Sequence, residues 1–332
     1  MVGGGKIALG NRGLAKGVAL SHAAAIQSLG QDRVQIRAVV DPNAGVASSV
    51  AELGAAYHGK LEDVPVSSGQ SEIVVICTPV HSRFEVLQRA LDRKPAAIIV
   101  EKPLAGSLEE AVRIVQEAER ADCPVLVNYN RRFDRRLIRE RPTEPDQWLC
   151  GQLNYGRGLY HYASHAIDLM LHWFGPVASV LWLPGAANET SADPSWSFVL
   201  NFENGFTFQA SGLDDLPYDL FDIDLLGPNG RLRLIAGGAS IQREGICENA
   251  YYNGYRHLMQ SRVDTGTVGG FVELYDQLFN WLDGSIPHLP ACFGREALAT
   301  TAIIAAVELS RKSAGRSINP ARLLDELIQQ PL

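Results

Sequence analysis

At 332 residues, with 46% hydrophobic and 20% charged content, the chain has room for two cored domains and lacks the composition of a disordered protein. A formal net charge of −7 argues against sequence-independent nucleic-acid binding, which needs a basic surface. The five cysteines, Cys77, Cys123, Cys150, Cys247 and Cys292, form no C-x-x-C pair, so neither a zinc knuckle nor a disulfide framework is expected, and reduced thiols in the cytoplasm are. No signal peptide is visible at the amino terminus. The most apolar run, Ala297 to Leu309, falls short of the ~18 residues of a spanning helix, so no membrane association is expected.

Lys6-Ile7-Ala8-Leu9 reads as a first strand running into Gly10-Asn11-Arg12-Gly13. An alanine-rich helix from about Leu14 to Leu29 follows, then a strand from Val34 to Val40 that ends in Asp41. Strand, glycine turn, helix, strand and acid is the order of a dinucleotide-binding βαβ unit. Ala8, Gly10 and Gly13 align with G-x-G-x-x-G, with alanine for the first glycine. Glycines let the backbone approach a pyrophosphate. Asp41 is placed to accept the adenosine ribose hydroxyls and to repel a 2′-phosphate, which favours NAD over NADP. An ordinary strand–turn–helix without ligand is the competing reading of this motif alone.

The alternation continues. Ile73 to Cys77 is a strand ended by Thr78-Pro79, and a helix covers about Ser82 to Leu91. Ala96 to Val100 leads into Glu101-Lys102-Pro103, a helix covers Leu108 to Arg120, and Pro124 to Val127 is a further strand. The fold class expected is α/β: an amino-terminal Rossmann domain with a doubly wound parallel sheet over 1–128. A carboxy-terminal α+β domain over 129–332 follows, whose last helices can pack back on the first. Pro103 stops the strand and holds Lys102 at the carboxyl edge of the sheet, where open α/β folds bind ligands.

Arg131, Arg132, Arg135, Arg136, Arg139 and Arg141 form a basic run. It reads either as a solvated face paired with Asp134, Glu140 and Glu144, or as a clamp for an anionic group such as a diphosphate. A helix beginning His161-Tyr162-Ala163-Ser164-His165 is predicted to carry positions 161, 165, 168 and 172 on one face. His161 and His165 with Asp168 have metal-ligand spacing, but no further ligand lies nearby in sequence, and no metal is expected.

Beyond residue 176 the pattern is of antiparallel strands over Val177–Leu183, Ser195–Phe202, Gly205–Ser211, Leu220–Leu226 and Arg231–Ile235, with hairpin signals at Asn204-Gly205 and Asn229-Gly230. Ala250 to Thr267 reads as a tyrosine-rich specificity loop, with Tyr255 a candidate substrate contact.

Thr78-Pro79, Glu101-Lys102-Pro103, Asn130-Arg131-Arg132-Phe133-Asp134 and His165-Ala166-Ile167-Asp168, in this order, resemble the glucose–fructose oxidoreductase / inositol dehydrogenase (Gfo/Idh/MocA) family over nearly the whole chain. The resemblance implies that Lys102 reaches the reacting hydroxyl or carbonyl beside a nicotinamide, with His165 as second acid/base group. It further implies that Thr78, Pro79 and Glu101 border the cofactor, and that Asn130, Arg131 and Tyr162 lie near the substrate. His161 stands where the family has aspartate and Ala163 where it has glycine; whether His161 joins a proton relay is left open. The implied activity is NAD-dependent hydride transfer to or from a secondary alcohol or ketone of a sugar, cyclitol or nucleotide sugar, in a homodimer or homotetramer built through the carboxy-terminal sheet. The rival readings are an NAD-binding sensor without net turnover and a redox-neutral lyase or glycosidase.

Overall fold

The computed structural model describes residues 1–10, 19–66, 71–143, 148–288 and 292–329. The chain forms two compact units: Met1–Ile138 with Gly269–Thr301, and Arg139–Val268 with Ala302–Leu332. This differs from a single cut at 128/129, because side chains after the last strand of the first unit bind a later stretch. Asp134 Oδ2 accepts the Gly269 N–H at 2.7 Å, Asn130 Nδ2 donates to the Gly269 carbonyl at 3.1 Å, and Arg132 pairs with Glu296 at 2.5 Å.

In the first unit β1 (Ala38–Val40) pairs with β2 (Ala56–His58), and β4 (Ala97–Glu101) lies between β3 (Ile73–Ile76) and β5 (Val125–Asn128), all pairs being parallel. Every residue of β4 and β5 is buried, as β-branched runs covered on both faces require. Helix Leu108–Arg120, at its expected bounds, buries Leu108, Ala111, Val112, Val115 and Ala118 on one stripe. It starts where Ser107 Oγ accepts the Glu110 N–H at 3.2 Å.

The expected first strand, Lys6–Leu9, is instead a short helix. The Gly5 carbonyl takes the N–H groups of Ala8 and Leu9 at 3.0 Å each, and the Gly10 N–H donates to the Lys6 carbonyl at 2.9 Å, so these amides close helical turns rather than a ladder. The strand lies earlier: Val2 bridges both Val40 and Ile76, with Val2 N–H on Val75 at 2.7 Å and Gly3 N–H on Val40 at 2.8 Å. A cavity of about 620 Å³ flanks Val2, lined by Ala38, Val40, Val74, Tyr275 and Phe279 among others.

The second unit carries an eight-stranded sheet of β6 (Cys150–Tyr155), β7 (Val177–Leu183), β8 (Ser197–Phe202), β9 (Thr207–Gly212), β10 (Phe221–Gly227), β11 (Gly230–Ile235), β12 (Ser240–Glu248) and β13 (Arg256–Thr265). Its order is β13-β12-β11-β10-β6-β9-β8-β7, antiparallel except for the β6–β9 pair. Phe198, Leu200 and Phe202 are buried along β8, and Phe174 stacks on Phe206 at 3.8 Å. The expected loop over 250–267 is largely the strand β13. Nearly all its residues are exposed, so the sequence has no apolar period there to signal a strand. Among the described residues no helix is long and apolar enough to cross a membrane.

Candidate active site

The chain leaves Val2 through Gly3-Gly4-Gly5. Gly3 has φ +93°, and a Cβ there would stand 2.9 Å from the Cys77 carbonyl carbon. Gly4 N–H donates to Asp41 Oδ2 at 2.6 Å, and Asn43 N–H to Oδ1 at 2.8 Å. Asp41 therefore faces a glycine turn, as expected of it, but the turn is Gly3–Gly5. Ala8 is buried inside the short helix and Gly10 caps its end with φ +96°, so neither stands at the end of a first strand as the alignment on Ala8, Gly10 and Gly13 expects. Asn11, Arg12 and Gly13 lie outside the described residues. Among the described residues, a Cβ on Gly5 would meet nothing within 4 Å.

β4 ends at the buried Glu101, and the half-buried Lys102 follows. Arg83, on helix Val80–Leu91, holds this turn from beneath. Its guanidinium donates to the Pro103 carbonyl and, at 2.8 Å, to the Thr78 carbonyl, so one buried side chain ties the turns after β3 and β4. Burial lowers the Arg83 pKa, while Glu101 and Cys77 oppose that shift. Glu101 Oε1 accepts from Asn128 Nδ2 at 2.6 Å and bonds His22 Nε2 at 3.0 Å. His22 Nδ1 bonds the Tyr275 hydroxyl at 2.8 Å. Burial favours neutral His22, but Cys77 and Glu101 outweigh it and push the imidazole up to about 10. Burial likewise raises Glu101, yet His22, Asn128 and Lys102 hold it below the usual carboxylate range.

Thr78 Oγ1 and Asn128 Oδ1 are buried and have no hydrogen-bond partner among the described residues. These orphan atoms, the Gly3–Gly5 turn and the carboxylate of Asp41 fit a nicotinamide dinucleotide. Gly3–Gly5, Asp41 and Thr78 would hold it. Pro79 is exposed and stands at the N-cap of helix Val80–Leu91.

Most of the arginine run takes the bland course. Arg132 pairs with Glu296, Arg135 with Glu273 at 3.1 Å, Arg136 with Asp134 at 3.6 Å, and Arg139 with Asp264 at 3.2 Å. Asn130 spends its amide on Gly269, and the half-buried Arg131 follows it in the short 3₁₀ helix Asn130–Phe133.

In the second unit, His165 and Asp168 are buried on helix Ser164–Phe174 while His161 is exposed. The expectation of one shared face fails because Leu159–Ala163 forms a π turn, in which Ala163 N–H reaches back five residues to Gly158 at 3.2 Å. The wider turn rotates His161 off the face that a regular helix would give it. Asp193 holds this turn, its two oxygens accepting the Tyr160 and His161 N–H groups at 2.9 Å each. Ser195 Oγ accepts the Gly158 N–H at 2.8 Å. Tyr162 stacks on His161 at 5.1 Å and meets Phe221 edge-on. Tyr255, 69% exposed, stands just before β13.

Sequence reasoning missed His22, Arg83, Asp193 and Tyr275. Only His22 left a signal, as the one polar side chain of the Ala-rich run after Ser21.

Residues 1–129 match a family profile described as "Oxidoreductase family, NAD-binding Rossmann fold". The chain is 23% identical over 229 residues to Oxidoreductase P35 of Formosa agariphila, covering 60% of this chain and 70% of that one. It is 33% identical over 132 residues to inositol 2-dehydrogenase of Corynebacterium glutamicum, covering 39% of this chain and 38% of that one. Among solved structures, the WlbA dehydrogenase from Bordetella pertussis, in complex with NADH and UDP-GlcNAcA, is similar with a TM-score of 0.72, 20% identity and coverage of 96% of this chain and 97% of that one. That likeness spans both units and is one of fold. Residues 1–129 thus resemble the NAD-binding Rossmann domain of the Gfo/Idh/MocA oxidoreductases.

Proposed function

We propose that the protein is an NAD-linked dehydrogenase that oxidises a secondary alcohol of a sugar, cyclitol or nucleotide sugar, or reduces the matching ketone. The observation that carries this reading is Lys102. It sits on a turn fixed by Arg83 and by the bonds of Glu101, in the same unit as the Gly3–Gly5 turn that faces Asp41. The bound cofactor supplies the hydride chemistry. Lys102 exchanges the proton of the reacting oxygen, for which a half-buried amine beside a cationic ring is suited. His165 is the second acid/base group and Asp168 its structural neighbour. Asp41 accepts the ribose hydroxyls and disfavours a 2′-phosphate, hence NAD over NADP.

Support for the substrate class comes from the relatives: one is an inositol 2-dehydrogenase, and one similar structure is described with a UDP-linked sugar acid. Asn130 and the half-buried Arg131, in the short 3₁₀ helix Asn130–Phe133, are our candidates for further substrate contacts. We assign Tyr162 and Tyr255 to substrate contacts, the sheet with its exposed Met259 and Val263 to a homo-oligomer interface, and the cytoplasm as location. The exposed His161, in place of an aspartate, favours a second reading in which the chain binds NAD and senses a sugar without net turnover.

The test is absorbance at 340 nm with NAD and a panel of inositols, free sugars and nucleotide sugars. Growth of NADH in wild type, reduced by a factor on the order of 10² to 10⁴ in Lys102→Met, is expected. Saturable NADH binding with no turnover of any compound would favour the sensor.

A further inference from the structure

His22 takes no part in the chemistry proposed above, yet it is fully buried and spends both ring nitrogens on side chains. It opens helix His22–Ser28, whose N-cap Ser21 accepts the Ala24 N–H at 3.2 Å, so its backbone is fixed by the cap. Phe271 packs edge-on to the ring at 5.2 Å and closes it from solvent. The titratable groups facing the ring are Tyr275 on helix Phe271–Leu282, Glu101 at the end of β4 and Cys77 after β3. Those coupled to Glu101 are His22, Lys102 and Arg83. Both hydrogen bonds to Glu101, from His22 and from Asn128, fall on Oε1, and Oε2 has no hydrogen-bond partner among the described residues.

A buried carboxylate keeps its charge only when donors or a cation offset the lost hydration. Asn128 gives one neutral donor, and of the two groups hydrogen-bonded to Oε1 the imidazole is the one able to bring charge. An ionised Glu101 next to Lys102 favours the ammonium form of that lysine, since an opposite charge nearby stabilises a cation. We propose that His22 is a positioning residue that sets the protonation of Lys102 through Glu101, by keeping the carboxylate ionised and its Oε1 engaged on the side away from solvent. The raised proton affinity of His22 and the lowered one of Glu101 agree with this direction. The inference rests on the reading of Lys102 as the proton-exchanging group, but its test needs neither substrate nor turnover.

The apo-protein is labelled with a trace of acetic anhydride between pH 6 and pH 11, and acetylation of Lys102 is read by peptide mass spectrometry with Lys60 and Lys94 as internal references. Glu101→Gln is expected to lower the Lys102 midpoint by about one unit, which is roughly tenfold more free amine below it. His22→Phe is expected to lower it by a similar amount, because Glu101 then takes a proton. The double variant is expected to add nothing further. A midpoint unmoved in His22→Phe but lowered in Glu101→Gln would overturn the role of His22, leaving it a packing residue. A midpoint unmoved in Glu101→Gln would overturn the coupling itself. If His22→Phe fails to fold, the ¹⁵N spectrum of the wild-type imidazole decides. Both nitrogens protonated at pH 8 is expected, and a neutral tautomer there overturns the proposal. An unshifted midpoint leaves the dehydrogenase reading standing, and a failed sugar panel leaves this result standing.

Discussion

In the first unit the buried Arg83 and Glu101 both act on the turns at the carboxyl ends of β3 and β4, which carry Thr78 and Lys102. In the second unit the buried Glu140 lies between Arg243, at 2.6 Å, and Arg262, while Asp193 and Ser195 tie down the backbone of a π turn. Both units take charge out of water, and both satisfy it with several donors, as an interior requires. The first spends that cost next to a lysine and leaves Thr78 Oγ1 and Asn128 Oδ1 unpaired beside it. In the second, Asp193 closes hydrogen bonds that shape a helix entry and Glu140 pairs with arginines of β12 and β13. Buried charge by itself thus does not mark a reactive group; orphan polar atoms are the sharper sign.

The largest expected effect tests the structural role of Asp193. A Cβ on Gly158 would lie 2.7 Å from the Asp193 carbonyl oxygen at a backbone φ of +96°. Gly158→Ala should therefore cost roughly 3–5 kcal/mol, combining a strained backbone with overpacking. Urea unfolding measures it, and a cost under about 1 kcal/mol would mean that the π turn is not locked.

A smaller effect is expected at Arg83. Arg83→Met leaves the Thr78 and Pro103 carbonyls without their donor, at roughly 2–4 kcal/mol. If the turns serve the cofactor, NADH affinity should fall along with stability, whereas Arg243→Met in the second unit should lower stability alone. Loss of NADH affinity in both variants would erase the contrast between the units.

The smallest effect is one of pH. The His22 pKa is raised from 6.5 to about 10 on folding, so its contribution is complete below about pH 6.5 and is lost as pH rises through about 10. Glu101, whose pKa is lowered, contributes above its unfolded value and loses that contribution as pH falls. The difference in Tm between wild type and His22→Phe should accordingly shrink from pH 7 to pH 10. A difference that stays constant with pH would make His22 a packing residue only.

Much of the first unit is legible in the sequence, whereas the buried charges that separate the two units are not. The runs of β3 to β5 read as strands because burial on both faces demands unbroken β-branched sequence, and the bounds expected for helix Leu108–Arg120 are those of the structure. Asp41 and the turn at Lys102 followed from position at strand ends. The glycine turn was misread because Lys6-Ile7-Ala8-Leu9 is apolar enough for either state. Hydrogen bonds back to Gly5 decide for helix, and Met1–Gly3 is too short to show a period. β13 was lost for want of a buried face, and the π turn because a single extra residue leaves no trace in composition. His22, Arg83 and Asp193 act across sequence separations that no local pattern encodes.

The most direct measurement is a fluorescence titration of NADH against wild type and Gly5→Val. Gly5 has an ordinary φ of −71° and no described residue within 4 Å of its Cβ position, so valine there should leave stability within about 1 kcal/mol. It would nonetheless fill the volume that a pyrophosphate needs. Saturable binding by wild type, weakened at least about tenfold in a folded Gly5→Val, is the predicted result. Equal binding by the two proteins, or none by wild type, would contradict a nicotinamide site built on Gly3–Gly5.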